Sequence, residues 1–161
     1  MNLLVVTPTR GESQWLPETV ASVAAHGGSA RHLLVAPRAV VGALADSFPN
    51  LRVIEEPAAG GMYAAINEAA SVAGEWSAMT YLNDDDVLLP DFSAVVRCSG
   101  AEGSGIVYGG VRLIDRDGRR IGAIPISPSP RLNRALYARR IEPVYQHGTV
   151  VSRGACEKLR G

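Results

Sequence analysis

The chain contains only two cysteines, Cys98 and Cys156, which lie far apart and lack the spacing of metal-ligand pairs. This pattern argues against a disulfide framework and against a cysteine-based zinc site, so reduced thiols are expected. No apolar run approaches the roughly 20 residues that cross a bilayer, and no transmembrane segment is predicted. Without a basic leader before its first apolar run, the chain is expected to be cytoplasmic, either free or peripheral at the inner face of the membrane.

The chain also lacks a net charge, because its 16 basic and 16 acidic residues cancel. No overall field recruits nucleic acid, and no nucleic-acid partner is expected. The basic residues are concentrated after the middle of the chain, where they either serve an anionic substrate or form a solvated surface. A length of 161 residues with 47% hydrophobic content suits one domain, residues 1–161.

Apolar segments of strand and helix length alternate through the first hundred residues. Strands are predicted at 3–7, 32–36, 51–56 and 77–82, and helices at 16–24, 40–47, 62–73 and 92–98. After Gly100 the pattern changes, and two short apolar runs flank the turn signal Asp115 to Gly118. The order predicts an α/β fold: a Rossmann-like, three-layer αβα domain with a mostly parallel central sheet and a C-terminal antiparallel hairpin region.

Three consecutive carboxylates, Asp84, Asp85 and Asp86, follow the predicted strand at 77–82. Like charges placed together raise the free energy unless a cation lies between them, and Mg²⁺ or Mn²⁺ prefers carboxylate oxygen and water. Ligands of open α/β sheets bind outside the carboxyl ends of strands, where this cluster falls. A solvated loop is the alternative. A calcium loop is disfavoured, because the Asp-x-Asp-x-Asp-Gly spacing and the distal Glu are absent.

Other segments accompany the acidic cluster in a fixed order. They are Thr7-Pro8-Thr9-Arg10, Gly60-Gly61-Met62-Tyr63-Ala64-Ala65-Ile66-Asn67, Gly74-Glu75, Leu82-Asn83-Asp84-Asp85-Asp86-Val87-Leu88-Leu89-Pro90, Val107-Tyr108-Gly109-Gly110 and Asp117-Gly118. Together they resemble family 2 glycosyltransferases of the GT-A, nucleotide-diphospho-sugar transferase fold. The resemblance covers nearly the whole chain. It implies a nucleotide-sugar-binding half, residues 1–100, and a partial acceptor-side region, residues 101–161.

The resemblance also implies roles for individual residues. Asn83, Asp84 and Asp85 occupy the position of the family's Asp-x-Asp motif, so Asp85 would bind a divalent metal, Mn²⁺ or Mg²⁺, with help from Asp86. Asp84 or Asn83 would face the ribose. The Thr7, Pro8, Thr9 and Arg10 loop would border the nucleotide base, and Asn67 would line the donor pocket. For Asn67, a helix-face position satisfied by backbone is an equal alternative.

Two features depart from the family pattern. Ala36-Pro37-Arg38 stands where members often carry a base-binding Asp, which leaves UDP-, GDP- and dTDP-sugars open as donors. The catalytic base of the family follows a Gly-Gly-Phe-Asp-like segment that would begin near the end of this chain, so the general base is expected beyond Gly161 and the acceptor side is expected to be truncated. His147 is the remaining titratable candidate, as a metal ligand, a diphosphate contact or an acceptor contact, against a purely structural role.

The function that the resemblance implies is inverting, metal-dependent transfer of a sugar from a nucleotide-diphospho-sugar to a hydroxyl of a saccharide or lipid-linked acceptor, in bacterial surface polysaccharide synthesis. The alternative is a catalytically incomplete domain that binds a nucleotide sugar or a partner protein. A homo-oligomer is left open. A nucleotidyltransferase shares the layered sheet, but its Gly-rich, Lys-containing loop after the first strand is not present.

Overall fold

Strands and helices alternate along the chain in a computed structural model that describes residues 2–58, 60–101, 105–126, 129–141 and 145–160. The strands are β1 (Leu3–Pro8), β2 (Ala30–Ala36), β3 (Arg52–Glu55), β4 (Ala78–Tyr81), β5 (Ile106–Tyr108), β6 (Val111–Ile114), β7 (Arg120–Ile124) and β8 (Thr149–Ser152). The helices are α1 (Leu16–Ala24), α2 (Arg38–Ser47), α3 (Gly61–Val72), α4 (Phe92–Ala101), α5 (Pro130–Ala138) and α6 (Arg153–Arg160). None of the described helices is long and apolar enough to span a membrane.

Six strands form one sheet in the order β3-β2-β1-β4-β8-β5. The pairs β3–β2, β2–β1 and β1–β4 are parallel, whereas β8 is antiparallel to both β4 and β5. The strands β6 and β7 pair with each other as a separate antiparallel hairpin. The α/β fold, the mostly parallel sheet and the hairpin are therefore confirmed. The sequence did not predict that β8 inserts between β4 and β5.

Strand β1 lies at the centre of the sheet because both of its faces are apolar. Leu4 and Val6 pack on the α3 side, in a cluster that includes five alanine and isoleucine positions of that helix and its end. Leu3 and Val5 pack on the opposite side against Phe92 of α4. All four β1 side chains are buried. Burial of each of these side chains stabilises the fold by on the order of 1.5–3 kcal/mol. Because they pack on both sides of β1, helices cover both faces of the sheet.

The observed ends of the elements differ from the predicted ones by a few residues. Helix α2 begins at Arg38, directly after Pro37, whereas the prediction placed its start at residue 40. Strand β8 begins at Thr149, because the residues before it form a turn in which the Thr149 N–H donates to the Gln146 carbonyl at 3.0 Å. Gly148 takes a positive φ of 75° in that turn.

Gly60 sets the direction from which the chain enters α3. Its φ is 135°, and a Cβ at this position would lie 2.3 Å from the Cβ of Ala64. Gly42 offers a matched contrast, because it lies inside α2 with nothing within 4 Å of an added Cβ.

We expect Gly60→Ala to lower the free energy of unfolding by more than about 1 kcal/mol, since both strain and a backbone-adjacent clash oppose it. Gly42→Ala should instead raise the free energy of unfolding by about 0.5–1 kcal/mol, because it removes backbone entropy from the unfolded chain. Urea unfolding of both variants measures the difference. Equal effects of the two substitutions would contradict the role assigned to Gly60.

His32 of β2 is buried, and its Nε2 lies 2.9 Å from the Thr7 hydroxyl oxygen. Its Nδ1 has no hydrogen-bond partner among the described residues. Burial lowers the pKa of His32 from 6.5 to about 4. The folded protein therefore holds this ring neutral.

The stability that depends on neutral His32 is fully present above the unfolded pKa of about 6.5 and is lost as the pH falls toward and through about 4. The loss should reach at most about 3 kcal/mol. His32→Gln, which keeps a hydrogen-bonding group near Thr7 but does not titrate, should flatten this part of the profile. Urea unfolding at several pH values compares the two proteins, and parallel profiles would show that His32 does not cause the acid destabilisation.

Candidate active site

The site lies where the adjacent parallel strands β1 and β4 end. Val6 pairs with Tyr81, and the N–H of Leu82 donates to the carbonyl of Val6 at 2.9 Å. Because the two strands run in the same direction, the loop after β1 and the acidic turn after β4 meet at one edge of the sheet. We call residues 82–86 the acidic turn and residues 9–13 the β1 loop.

Asp84 faces the β1 loop. Its Oδ2 accepts a hydrogen bond from the Thr9 hydroxyl at 2.6 Å, and its carbonyl accepts one from the Ser13 hydroxyl at 2.8 Å. The N–H of Gly11 donates to the Thr9 oxygen at 2.9 Å, which fixes the hydroxyl for its bond to Asp84. A hydrogen bond therefore joins Thr9 and Asp84, two residues that the sequence analysis assigned to the donor site. Ser13 was missed, because no motif marks a loop serine whose partner is 71 residues away.

Asp86 turns to the other side of the acidic turn and contacts His147. Its Oδ2 lies 3.1 Å from the His147 Nε2 and 3.0 Å from the Asn83 Nδ2. The two nitrogens are 3.2 Å apart. The Asp86 oxygen can accept from both nitrogens at once when the His147 ring is protonated, because Nε2 then carries a hydrogen. The insertion of β8 next to β4 is what brings His147 to this position.

The pKa of His147 is raised above 6.5, first by its hydrogen bond to Asp86. Partial burial acts in the opposite direction, and the negative charges of Asp86 and then Asp85 add to the increase. Nearby carboxylates favour the protonated ring, whereas desolvation disfavours it. The hydrogen bond is the largest of these effects, so His147 is held cationic to a higher pH than an exposed histidine.

Asp85 and Asp86 face different cavities. Asp85 is exposed and lines a shallow cavity of about 200 Å³, together with Trp15 and Glu18 at the start of α1 and Arg116 of the hairpin turn. Asp86 lines a larger cavity of about 520 Å³ on the His147 side. Among the described residues, no three His, Cys, Asp or Glu side chains are close enough to hold a metal ion.

The carboxylates nonetheless suit a metal that the substrate helps to bind. Mg²⁺ typically uses one or two carboxylates, with phosphate oxygens and waters as its remaining ligands. The exposed carboxylate of Asp85 meets that description, whereas Asp84 is bonded to Thr9 and Asp86 to His147 and Asn83. The assignment of Asp85 and Asp86 as metal ligands stays a prediction.

The larger cavity, which we call the hairpin cavity, lies between α4, the acidic turn and the β6–β7 hairpin. Its apolar floor comprises Val87, Leu88, Leu89, Phe92, Ala94 and Val95. Its roof is the hairpin face that carries Arg112, Ile114 and Arg120, since Arg112 and Ile114 are two residues apart and Arg120 pairs with Ile114. Gly109 lets α4 approach the end wall, where an added Cβ would lie 3.0 Å from the Val95 Cγ2. The sequence did not reveal this cavity, because its walls come from four separate segments.

The remaining predicted site residues line neither cavity. The Thr7 side chain points into the interior toward His32, and it is fully buried. Pro8 ends β1, and Arg10 is exposed in the β1 loop. Asn67 is exposed on the second turn of α3 and lines neither cavity. The donor-site roles predicted for these residues are not tested by the fold.

Two acidic residues outside the acidic turn, Asp115 and Asp91, make local contacts at the surface. The Asp115 Oδ1 accepts from the N–H groups of Asp117 and Arg119, both at 2.9 Å, and so stabilises the hairpin turn. The Asp91 carboxylate, directly before α4, pairs with Arg112 at 3.1 Å, and both side chains are more than half exposed. The sequence also allows Asp91 to cap α4, and this stays a prediction.

The family of this chain is shown by its match to a protein-family model. Residues 4–160 match the family model described as glycosyl transferase family 2. The chain belongs to this family. The resemblance inferred from the ordered motifs is thereby confirmed. A sequence comparison with curated proteins found no match.

Solved structures show the same fold at low sequence identity. S. aureus TarS 1–349 superposes with a TM-score of 0.69 at 15% identity, over 99% of this chain and 49% of that one. The mannosyltransferase PcManGT from Pyrobaculum calidifontis, in complex with GDP-Man and Mn²⁺, gives 0.57 at 16% identity, over 99% and 47%. A 4-diphosphocytidyl-2C-methyl-D-erythritol synthase from Anaerococcus prevotii gives 0.55 at 8% identity, over 99% and 76%. The chain spans about half the length of the two glycosyltransferases.

We expect Asp86→Asn to lower the pKa of His147, because the strongest cause of its increase is the hydrogen bond to the Asp86 carboxylate. Asp85→Asn is the matched control, since it removes one charge of the same turn but only the weakest of the effects that raise this pKa, and it should lower the pKa less. An NMR titration of the His147 ring measures both. An equal decrease in the two variants would contradict the Asp86–His147 pair.

Proposed function

We propose that this glycosyltransferase family 2 domain transfers a sugar from a nucleotide-diphospho-sugar to an acceptor hydroxyl, with inversion and with the help of a divalent metal ion. The observation that carries the proposal is the acidic turn, whose Asp84 is bonded to the β1 loop and whose Asp86 is bonded to His147. The turn therefore has two chemically distinct sides. Bacterial surface polysaccharide synthesis is the process we infer for it.

The β1-loop side is the proposed donor side. Thr9 fixes the Asp84 carboxylate, which keeps Asp84 at the edge of the sheet where a ribose hydroxyl could donate to it. The N–H of Thr9 itself donates to the Val35 carbonyl at 2.9 Å, so the loop is anchored to β2 as well as to β4. A loop held at both ends is preorganised, and binding a donor would cost little ordering.

Asp85 is the proposed metal ligand, and a bound Mg²⁺ or Mn²⁺ would supply positive charge beside the donor's diphosphate. Asp85 is the exposed carboxylate of the turn, and its neighbours on either side are engaged in protein hydrogen bonds. The Nε2 of His147 lies 3.1 Å from the Asp86 Oδ2, so the ring is a second positive group on this side of the turn when it is protonated. PcManGT, which has the same fold, is described in complex with GDP-Man and Mn²⁺, and this supports the proposal by analogy.

In the proposed reaction the acceptor oxygen attacks the anomeric carbon from the face opposite the diphosphate. A new carbon–oxygen bond forms, the bond from the anomeric carbon to the diphosphate oxygen breaks, and its electron pair leaves with the nucleoside diphosphate. The hydroxyl proton passes to a carboxylate that acts as the general base. A positioned base typically contributes about 10²–10⁴-fold.

The proposal is tested with the thermal midpoint and with donor hydrolysis. UDP, GDP, dTDP and CDP, each with and without Mn²⁺, should raise the midpoint only in the Mn²⁺ series and only for the bases that are bound. We expect Asp85→Ala to abolish the Mn²⁺-dependent shift and to reduce hydrolysis of the matching nucleotide sugar at least about 100-fold, because charge stabilisation of this kind amounts to several kcal/mol.

Asp46→Ala is the control, since it removes a carboxylate that is exposed on α2 and absent from both cavities. It should leave both readouts unchanged. Nucleotide binding that persists without Mn²⁺, and without any turnover, would support the catalytically incomplete binding domain instead. Identical behaviour of Asp85→Ala and Asp46→Ala would remove the case for a metal at the acidic turn.

A further inference from the structure

The most unevenly charged segment of the chain surrounds α5. Between Asp117 and Glu142 the sequence contains six arginines and neither aspartate nor glutamate. Because the whole chain has no net charge, its other residues carry the compensating negative charge. Four of these arginines lie on α5 or directly after it: Arg131, Arg134, Arg139 and Arg140. We call these four residues the arginine cluster. A neutral protein therefore has one concentrated positive surface.

No carboxylate neutralises the arginine cluster in the part of the chain that the structure describes. All four side chains are exposed, and the ion pairs found among the described residues are made by other side chains. Arg131 and Arg134 are three positions apart on the helix, a spacing at which like charges repel each other. An anionic partner would relieve this repulsion.

One side of α5 is fixed to the rest of the protein. Asn133 is buried, and its Nδ2 donates to the hydroxyl oxygen of Tyr108 in β5 at 2.7 Å. Leu136, three positions further along the same side, is partly buried. At the start of the helix the Ser129 Oγ accepts from the N–H of Leu132 at 3.3 Å. The helix is therefore anchored, and its exposed charges are held in a fixed arrangement.

The end of α5 carries an arginine where glycine is usual. Arg140 has a φ of 59°, the one positive φ at a non-glycine residue in the described ranges. Its N–H donates to the Tyr137 carbonyl at 2.9 Å, and the Ile141 N–H donates to the Leu136 carbonyl at 3.0 Å. This is the Schellman arrangement, whose left-handed position favours glycine because a Cβ is disfavoured there. An arginine in that conformation points to a use for its side chain.

Large apolar side chains are exposed beside the arginine cluster. Leu132, Tyr137 and Ile141 have exposed fractions of 51%, 53% and 51%. A basic helix with exposed apolar side chains suits a lipid surface, where arginines meet phosphates and apolar groups enter the headgroup boundary. The amphipathic ring of Tyr137 fits the same layer. Nucleic acid would use the arginines but would leave Leu132 and Ile141 in water, so the combination favours lipid.

We propose that α5 and the residues that follow it to Ile141 bind the surface of an anionic lipid bilayer. The arginine cluster contacts the lipid phosphates, and Leu132, Tyr137 and Ile141 enter the interfacial layer. None of these seven residues lines the cavity at Asp85 or the hairpin cavity. The surface is therefore separate from the proposed donor site, and its binding to lipid needs no nucleotide.

Vesicle co-sedimentation of the unmodified protein tests the proposal. The protein should bind vesicles of three parts phosphatidylcholine to one part phosphatidylglycerol and should not bind pure phosphatidylcholine. Raising NaCl from about 0.1 M to about 0.5 M should weaken the binding at least about tenfold, because salt screens the arginines. Equal binding to both kinds of vesicle, or binding to neither, would overturn the proposal. A single-stranded oligonucleotide that binds more tightly than the anionic vesicles would overturn it in favour of nucleic acid.

Charge variants at Arg134 assign the binding to the arginine cluster. Each positive charge near an anionic membrane strengthens binding about fivefold. Arg134→Gln should therefore weaken vesicle binding about fivefold, and Arg134→Glu about 25-fold. Arg97→Glu is the matched control, because Arg97 is exposed on α4 and the substitution changes the net charge by the same amount. It should change binding by less than about twofold.

Arg97 is a suitable control because α4 and α5 lie on opposite faces of the sheet. Val150 packs with Phe92 of α4, and Val107 pairs with Val150. Successive residues of a strand point to opposite faces, so Tyr108, which contacts α5, points away from α4. Equal losses in Arg97→Glu and Arg134→Glu would show that only the net charge matters and would overturn the assignment to α5.

Arg140→Gly separates lipid binding from folding. Glycine fits the left-handed position better than arginine, so the thermal midpoint should stay the same or rise. Vesicle binding should nevertheless weaken about fivefold, because one positive charge is lost. Leu132→Ser should also weaken binding, at least about threefold, if apolar contact contributes. Full vesicle binding in both Arg134→Glu and Arg140→Gly would overturn the proposal.

Two further measurements distinguish the remaining outcomes. Self-association in sedimentation velocity that Arg134→Glu abolishes, without vesicle binding, would assign the surface to a second copy of the chain and overturn the proposal. The nucleotide thermal shift keeps the inference independent of the proposed function. A normal Mn²⁺-dependent shift without vesicle binding would refute the lipid surface alone, whereas charge-dependent vesicle binding without any nucleotide shift would support the lipid surface and refute the proposed function.

Discussion

The parallel pairing of β1 with β4 is the constraint on which the rest of the site depends. The hydrogen bond from the Leu82 N–H to the Val6 carbonyl extends the ladder to the first residue of the acidic turn. Because the two strands are parallel neighbours, the β1 loop and the acidic turn lie at the same edge of the sheet. The Thr9–Asp84 bond is the direct result, even though the two residues are 75 positions apart.

The acidic turn relieves its own charge repulsion in three different ways. Asp84 accepts hydrogen bonds from the β1 loop, Asp86 contacts the side chains of Asn83 and His147, and Asp85 faces solvent. Neighbouring carboxylates do not therefore require a single shared cation. Here the three side chains point in different directions, and only the Asp85 carboxylate is exposed.

The hairpin is a two-stranded element that the sheet does not stabilise. Isolated hairpins are marginal in water, and this one packs over the cavity rather than joining the six-stranded sheet. Its polar turn is held by Asp115, and its inner face carries two arginines and an isoleucine.

Much of the fold followed from local pattern, because β1 to β4 and α1 to α4 each carry a periodicity that does not depend on distant residues. The acidic turn and the Thr9 loop could be placed for the same reason, since parallel strands fix which ends meet. The partners of those residues could not be read in this way. The insertion of β8 beside β4, the Asp86–His147 pair and the hairpin cavity join segments between about 20 and 70 residues apart. Only the packed chain decides which of many distant side chains lies next to a given carboxylate.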